Sequence, residues 1–233
     1  MSSQIVADVE RARINITTAF KTVHDLYDAI ITIGNNFPAG MKEDVATLQS
    51  SLDAILASFK STQLQESVEL TDLAQKAADG FVTENVKILL DENLPLEARK
   101  TIIVDDDIPR FDQIIARLDD AANLFGSDFP KQVADHAEAA KSVFKKYSVP
   151  QVGVDVESIF NNNVPQGVNI FKTALESFRA DASTVSGKLK DLTAKEVDNE
   201  TFKAGVTEAS NLASTLRDTL IQYGKVVQGA ASS

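Results

Sequence analysis

The sequence predicts an all-α fold, an elongated antiparallel helical bundle with long helices and a weak internal duplication. Apolar residues recur at steps of three and four along most of the 233 residues, which is the pattern of one buried helix face. Proline and glycine are sparse, with six and ten copies, so that long helices can continue without interruption. No signal for a β-hairpin is present. A repeat close to 3.5 residues favours near-parallel helix packing at about 20°.

The first predicted helix covers residues 3–33. Its apolar positions are separated by steps of four and three throughout, which places them on one face. At 1.5 Å per residue this helix would be roughly 45 Å long, and that length sets the scale of the bundle. The apolar positions are Ile5, Val9, Ala12, Ile16, Ala19, Val23, Leu26, Ile30 and Ile33.

A turn motif follows this helix and returns later in altered form. The stretch from Gly34 to Pro38 combines a glycine, which can close a helix in the left-handed conformation, with a proline, which fits the first turn of the next helix. The stretch from Gly126 to Pro130 repeats this arrangement, and Asn163 to Pro165 repeats part of it. The pattern predicts two related helix-turn-helix units, at about residues 5–60 and 108–147.

Polar and aromatic residues have separate predicted roles in these turns. Asn36, Asp128 and Asn163 each stand where a side-chain oxygen can accept from the free amides of a new helix. Phe37 and Phe129 are expected to fill the end of the layer between the two helices, as in a hydrophobic staple. Twelve Phe against three Tyr and no Trp also favour a core role for the aromatic residues, because Phe carries no polar atom.

The middle of the chain gives a less regular pattern. A second helix is predicted to end near Lys60, and a further helix from Gln65 to Leu90 contains Gly80 near its middle. A short helix over residues 96–104 follows, and the stretch from Asp105 to Pro109 is expected to end it. The predicted apolar stripe of the 65–90 helix is Val68, Leu70, Leu73, Ala77, Phe81, Val86, Leu89 and Leu90.

The predicted domain organisation has three parts. Residues 1–150 form a helical region with the two related units, and its last two helices end near Phe125 and Tyr147. Residues 151–165 form an irregular crossover, because the periodicity breaks down there. Residues 166–228 form a long helical hairpin that packs with the N-terminal helix as one domain. The apolar positions expected in its core are Val168, Phe171, Leu175, Phe178, Ala182, Val185, Leu189, Leu192, Phe202, Val206, Ala209, Ala213, Leu216, Leu220, Tyr223 and Val227. The sequence leaves open whether the two units form one bundle or two.

Composition and charge limit the partners. Acidic residues outnumber basic ones by 34 to 23, and the net charge is −11, so that nucleic acid is not expected as a partner. The same charge disfavours attraction to anionic lipid but does not affect binding through apolar area. No stretch approaches the roughly 18 apolar residues of a transmembrane segment. The N-terminus does not have the pattern of a signal peptide, and the compartment, cytoplasmic or secreted after signal removal, stays open.

No catalytic, cofactor-binding or metal-ligating set is predicted. The absence of Cys excludes disulfides and thiolate chemistry. His24 and His136 have no second ligand at metal spacing and are interpreted as partners in surface ion pairs. Asp105, Asp106 and Asp107 lack the glycine and the closing glutamate of a calcium loop, so they are interpreted as residues of a helix cap and turn. An enzyme is therefore not expected, and neither is a cofactor.

The sequence favours a non-enzymatic binding protein for a hydrophobic ligand, a lipid or a membrane surface, because long amphipathic helices are present without a catalytic set. The alternative is a structural or scaffold protein that contacts a protein partner, or a second copy of itself, through its helices. An interior apolar cavity of several hundred cubic ångströms would favour a carrier, since typical ligand sites have about this volume. A filled core would favour the alternative.

Overall fold

The computed structural model describes residues 2–126, 128–148 and 155–231. Within these ranges the regular elements are helical and no strand is present, so that the all-α prediction is confirmed. The helices pack as a bundle around one cluster of buried apolar side chains, which extends along the chain from Val9 to Val227.

Six long helices make up the described part of the chain. Short connections join them, including the 3₁₀ turn Gly34–Asn36. In chain order the helices are α1 (Ser2–Thr32), α2 (residues 41–89), α3 (residues 96–124), α4 (Asp128–Lys146), α5 (residues 156–194) and α6 (Asn199–Ala231).

Three of these helices contain π-helical turns. The turns lie at Phe59–Leu64 and Phe81–Asn85 in α2, at Ile103–Asp107 in α3 and at Ile159–Asn163 in α5. The residues on either side keep right-handed helical dihedral angles, so that each helix is continuous. The α-helical segments between the turns are Met41–Ser58, Gln65–Gly80, Val86–Leu89, Leu96–Ile102, Ile108–Leu124, Val156–Ser158 and Val164–Ala194.

The prolines explain why the sequence predicted helix ends at two of these turns. Pro109 and Pro165 each stand two residues after the end of a π turn. Inside an α-helix a proline ring clashes with the carbonyl group four residues before it. Here that carbonyl belongs to Asp105 or Asn161, which lie within the π turns, where the backbone is wider than in an α-helix. The predicted break at residues 105–109 was therefore wrong. Residues 151–154 of the predicted crossover lie outside the described residues, and residues 156–165 are helical.

The apolar stripe predicted for the second part of α2 was correct at Phe81 and Leu89, which are buried, but wrong in its first half. Leu73 is 46% exposed, whereas Ser67, Thr71 and Ala74 are fully buried. The π turn at Phe59–Leu64 adds one residue to a helical turn, and this extra residue rotates the following segment relative to a regular helix. Within this segment the buried positions Ser67, Thr71, Ala74 and Ala78 keep steps of four and three but carry small or polar side chains. A pattern taken from the larger apolar side chains therefore assigned the wrong face.

The turn before α2 differs from its predicted form. Gly34 begins a 3₁₀ turn, and neither Gly34 nor Gly126 adopts the left-handed conformation. Instead Gly40, with φ of 88°, is the N-cap of α2, and no side chain caps this helix end. Asn36 therefore does not act as the cap. Asn163 is likewise not a cap, since it is the last residue of a π turn.

The helices form two groups that share α2 and α5. In the first group, α4 packs on residues 41–58 of α2 and on residues 156–163 of α5, and α1 packs on the same part of α2. In the second group, residues 65–80 of α2 pack on α3 and α6, and α5 packs on both α3 and α6. Because α1 also contacts α5 and α6, both groups belong to one continuous core.

The contact between α5 and α6 follows the predicted pattern. Gly205 allows this close approach, because a Cβ atom there would lie 2.4 Å from a methyl carbon of Leu192. Farther along, Phe178 and Tyr223 meet edge to face at 5.7 Å. The predicted core residues of both helices are all buried: Val168, Phe171, Leu175, Phe178, Ala182, Val185, Leu189, Leu192, Phe202, Val206, Ala209, Ala213, Leu216, Leu220, Tyr223 and Val227.

Candidate functional site: an aromatic layer beneath a peripheral helix

A layer of six buried phenylalanine rings lies where the two helix groups meet. We call Phe20, Phe59, Phe125, Phe129, Phe160 and Phe171 the aromatic layer. Phe59, the first residue of a π turn in α2, lies at its centre and stacks on Phe129 of α4 with the ring centroids 4.5 Å apart. Phe125 and Phe171 meet Phe59 edge to face and stack on each other at 4.9 Å. All six side chains are at most 1% exposed.

The layer continues from Phe129 towards α1 and α5. Phe20 stacks on Phe129 at 6.2 Å and meets Phe160 edge to face at 5.4 Å. The imidazole of His136 then packs against the edge of Phe160, with the ring centroids 5.3 Å apart. Side chains from α1, α2, α4 and α5 therefore meet in one apolar cluster. Phe129 takes part in this cluster as a core residue, whereas Phe37 is only partly buried.

A buried hydrogen bond between α1 and α4 lies at the end of the layer. The hydroxyl oxygen of Tyr27 is 2.8 Å from Nε2 of His136, and both side chains are buried. Burial raises the pKa of Tyr27, so that the phenol keeps its proton. We therefore assign the phenol as donor to Nε2, which places the imidazole proton on Nδ1. This Nδ1 is buried and has no hydrogen-bond partner among the described residues.

The predicted surface ion pair at His136 was wrong. The side chain is only 3% exposed, and burial lowers its pKa to about 4, so that the ring is neutral near pH 7. His24, in contrast, forms an ion-pair contact as expected, with Nδ1 3.0 Å from Oδ1 of Asp53 on α2 and 40% of its side chain exposed. The two histidines of the chain thus occupy opposite environments.

Within the described part of the chain, few polar contacts hold α4 in place. At its C-terminal end, Asp44 of α2 accepts from Lys146 at 3.0 Å and from the hydroxyl of Tyr147 at 2.6 Å. These contacts hold the pKa of Asp44 below its usual value, with the hydrogen bond from Tyr147 as the main cause. Towards α5, Nζ of Lys141 lies 3.4 Å from Oε1 of Glu157. These ion pairs are exposed, and such pairs contribute little to stability.

The inner face of α4 is apolar and its outer face is charged. The charged residues include Lys131, Asp135 and Glu138, which are exposed. This division makes α4 strongly amphipathic, and its inner face contributes Phe129 to the aromatic layer. The buried residues of its inner face are Phe129, Val133, His136, Ala137, Ala140 and Phe144.

Open grooves lie between the helices. One of about 430 Å³ runs between α2 and α4, with Ser51 and Gln132 on opposite sides. A second, of about 340 Å³, lies between α1 and α5 and shares Ile170 with a third groove of about 240 Å³. A fourth, of about 190 Å³, separates α2 from α6. These grooves open to solvent, and they differ in this respect from the enclosed cavity expected of a carrier.

The acidic cluster Asp105–Asp107 in the middle of α3 is part of a helix contact and not a turn. Asp107 is fully buried, and its Oδ1 accepts from Nδ2 of Asn85 at 2.6 Å, while the same amide also reaches Asp106. Asn85 and Asp107 are the last residues of two π turns that face each other. Burial raises the pKa of Asp107 to about 6. Its Oδ2 is buried and unpaired within the part of the chain that the structure describes.

Two other buried polar groups connect helices in the second group. Ser67 and the hydroxyl of Tyr223 are 2.5 Å apart and join α2 to α6. Arg99 is only 3% exposed; it donates to the carbonyl oxygen of Leu89 at 3.2 Å and to Oδ1 of Asn199 at 2.7 Å. Both groups are enclosed by protein, so that their arrangement suits stabilisation of helix contacts.

Sequence reasoning missed His136 and Asp107, although each had a positional signal. His136 stands three residues after Val133 and four before Ala140, on the predicted inner face of α4. Asp107 stands four residues from both Ile103 and Phe111, which are buried. Both were interpreted from their polar neighbours instead of from their helical spacing.

The described residues contain neither a membrane-spanning helix nor a cluster of metal ligands. No helix in residues 2–126, 128–148 and 155–231 has both the length and the apolar character needed to cross a membrane. Those residues also contain no group of three or more His, Asp or Glu side chains that could hold a metal ion. No protein-family model, curated protein or solved structure matches the chain.

Proposed function

We propose that the protein is a non-enzymatic binding protein for apolar material, and that it binds the surface of a lipid layer through α4 and the aromatic layer. The observation that carries this proposal is a large aromatic surface covered from outside by one amphipathic helix with few polar contacts to the rest. An amphipathic helix of this kind can lie at a lipid interface with its apolar face inward.

The energetics favour release of α4 at a lipid surface over release in water. Burial of a Phe or Val side chain is worth about 1.5–3 kcal/mol, so that release of α4 into water would lose this contribution at Phe129, Val133 and Phe144, all buried. Lipid tails are as apolar as a protein interior. If the inner face of α4 enters lipid, most of that loss is recovered. The bundle is therefore expected to stay closed in water and to open on lipid.

The charge of the chain selects the kind of lipid surface. With a net charge of −11, the protein would be repelled by anionic headgroups. Zwitterionic phosphatidylcholine vesicles are thus the appropriate probe. The absence of Cys from the sequence allows specific cross-linking of introduced cysteines.

The test is a cross-link across the groove between α2 and α4. Ser51→Cys together with Gln132→Cys, joined by a short bismaleimide, would hold α4 closed, since both residues line that groove. We expect vesicle co-sedimentation of this form to fall about tenfold or more relative to the same variant blocked with N-ethylmaleimide. Asp72→Cys with Lys225→Cys, across the groove between α2 and α6, is the matched control and should bind normally when cross-linked. Failure of the native chain to bind vesicles, or equal binding of both cross-linked forms, would refute the proposal.

A second function, contact with a protein partner or with another copy of the chain, is favoured by the α1–α5 surface. Two neighbouring grooves follow this contact and share Ile170, which is 36% exposed. Apolar grooves between helices can receive a further amphipathic helix. Sedimentation velocity of the native chain and of Ile170→Asp tests self-association. A native chain that sediments as a monomer at all concentrations would exclude the homo-oligomer.

We further propose that the overall arrangement is elongated and antiparallel, and that residues 5–60 and 108–147 arose by duplication. Support comes from the similar turn motifs at Gly34 and Gly126 and from the length of α2, which takes part in both helix groups. A compact domain of this length has a radius of gyration of about 17 Å. Small-angle scattering should give a clearly larger value, and a value near that of a sphere would contradict the elongated form.

A further inference from the structure

Two titratable side chains are buried in different helix contacts. His136 lies between α4 and α1, and Asp107 lies between α3 and α2. Each has one polar atom in a hydrogen bond and one that is buried without a partner in the described ranges. We propose that mild acid releases α4 while it tightens the contact of α3 with α2, so that acid uncovers the aromatic layer without unfolding the chain. This inference rests on the function proposed above, because it assigns a control to the same surface.

The surroundings of His136 cannot stabilise a positive charge. From α1 the facing group is the phenol of Tyr27, which donates to Nε2 and so requires an unprotonated nitrogen. From α5 the facing group is the apolar ring of Phe160. A protonated imidazole would carry a second N–H at Nε2 and a buried N–H at Nδ1 without an acceptor. Burial therefore disfavours protonation of His136 in the closed contact.

The charged groups near this contact do not change that conclusion. On α4 itself, Asp135 is exposed and lines the groove beside His136. On α5, Glu157 lies against Lys141. On α2, the groove residues Ser51 and Ile55 carry no charge. Burial is the cause that lowers the pKa of His136.

The sign of the pH effect at α4 follows from these pKa values. Burial lowers the pKa of His136 from 6.5 to about 4, and release of α4 would return the ring to water. The contribution of His136 to the closed contact is then fully present above pH 6.5. It is lost as the pH falls towards 4, because the open form takes up the proton at a higher pH than the closed form. At pH 5 the ratio of closed to open α4 should be about thirtyfold lower than at pH 7.5.

Asp107 gives the opposite effect in the other contact. Asn85 faces it from α2, and Asp106 and Arg110 lie beside it on α3. Burial raises the pKa of this carboxyl from 3.8 to about 6, so that the folded form takes up a proton before the unfolded form does. The contact therefore gains stability as the pH falls from 6 towards 3.8. At pH 5 the ratio of the formed contact to the open contact should be about tenfold higher than at pH 7.5.

Hydrogen–deuterium exchange of the full chain at pH 7.5 and pH 5 tests the proposal. After correction for intrinsic exchange, residues 129–146 should lose protection about thirtyfold at pH 5, while residues 108–124 keep or gain protection. His136→Gln is neutral at both pH values and should abolish the loss. His24→Gln is the matched control, because His24 is exposed, and should leave the loss unchanged. Constant or increased protection of α4 in acid would overturn the proposal.

A second variant separates the two contacts. Asp107→Asn replaces the carboxyl by an uncharged group of the same shape, so that protection of residues 108–124 should become equal at the two pH values while the response of α4 persists. A response of α3 that survives this substitution would contradict the role of Asp107. This readout does not depend on the folding of the His136 variant.

Phosphatidylcholine vesicles at the same two pH values distinguish this inference from the function on which it rests. Loss of α4 protection in acid without vesicle binding at either pH supports acid release and removes the proposed function. Equal vesicle binding at both pH values, with constant protection of α4, overturns acid release and retains the function. Stronger binding at pH 5 that His136→Gln abolishes supports both.

Discussion

At the scale of single residues, the hydrogen bond between Tyr27 and His136 connects two helices that otherwise meet through apolar side chains. Both partners are buried, and the second imidazole nitrogen has no partner within the described part of the chain. An unpaired polar atom in a protein interior costs more than a hydrogen bond gains. The position of α4 therefore depends on a group that one change of protonation can disrupt.

Tyr27→Phe should lower the free energy of unfolding by about 1–3 kcal/mol, because it leaves Nε2 of His136 buried without a partner. Urea unfolding followed by circular dichroism measures this loss. Tyr147→Phe is the control, since its hydroxyl binds an exposed carboxyl group that water can reach, and it should have a much smaller effect. Equal losses in the two variants would contradict the special role of Tyr27.

Phe59→Ala should be among the most destabilising single substitutions in the chain. The ring contacts three other rings of the aromatic layer, and removal of a buried Phe typically costs about 3–5 kcal/mol. Leu73→Ala gives the comparison, because its side chain is 46% exposed although the sequence pattern placed it in the core. Chemical denaturation should show a loss below about 1 kcal/mol there. A large loss at Leu73 would favour the predicted core position over the observed exposure.

At the scale of helices, the π turns determine which side chains face the core. In α2 the buried residues after Phe59 stand four, five and eight positions later, at Gln63, Leu64 and Ser67. A regular α-helix would place buried residues three, four and seven positions later. The π turn at Phe59–Leu64 thus contains one residue more than the regular pattern requires.

Deletion of Ser61 should accordingly be tolerated. This exposed residue lies within the π turn, and its removal converts the turn into a regular α-helix with the same buried face. Thermal unfolding should remain cooperative. Deletion of Lys76, an exposed residue within the α-helical segment Gln65–Gly80, should abolish cooperative unfolding, because it rotates the residues that follow by about 100°. Similar behaviour of the two deletions would contradict this account of the π turn.

The same turns mark the limit of prediction from this sequence. For α1, α6 and the part of α5 after residue 166, uniform periodicity identified the helices, and every core residue predicted in α5 and α6 is buried, whereas residues 156–165 of α5 were predicted as an irregular crossover. Uniform periodicity also identified most core positions in residues 41–59 and 111–125. It failed locally in the stripe of residues 68–77 and at the expected break at residues 105–109, where a π turn allows Pro109 to stand inside a continuous helix. The surplus of Phe indicated aromatic packing in the core. It could not indicate which helices would share the rings, since that depends on contacts between residues as distant as Phe20 and Phe160.

At the scale of the whole molecule, the helices differ in how much of the core they share. α5 packs on α1, α3 and α6, whereas the main neighbours of α4 are residues 41–58 of α2 and the first turns of α5. Elements with few contacts open at lower free energy than the global transition. We expect α4 to open locally while the other helices remain folded.

Native-state hydrogen exchange at increasing urea concentration should reveal this difference. Amides of residues 130–146 should exchange through an opening with a smaller urea dependence than amides of residues 171–192, because less surface becomes exposed. Exchange of both segments with the same free energy and the same urea dependence would show that α4 unfolds only together with the rest of the chain.

The placement of the three tyrosines makes this chain its own optical probe. No tryptophan is present to mask them. Tyr27 is buried against α4, Tyr223 is buried beside Ser67 in the other helix group, and Tyr147 contacts Asp44 near the surface. Burial raises the pKa of both Tyr27 and Tyr223. In alkali, phenolate absorbance therefore appears when either side chain becomes exposed to water. Separation of one helix can thus be followed by light absorption alone, without an attached dye.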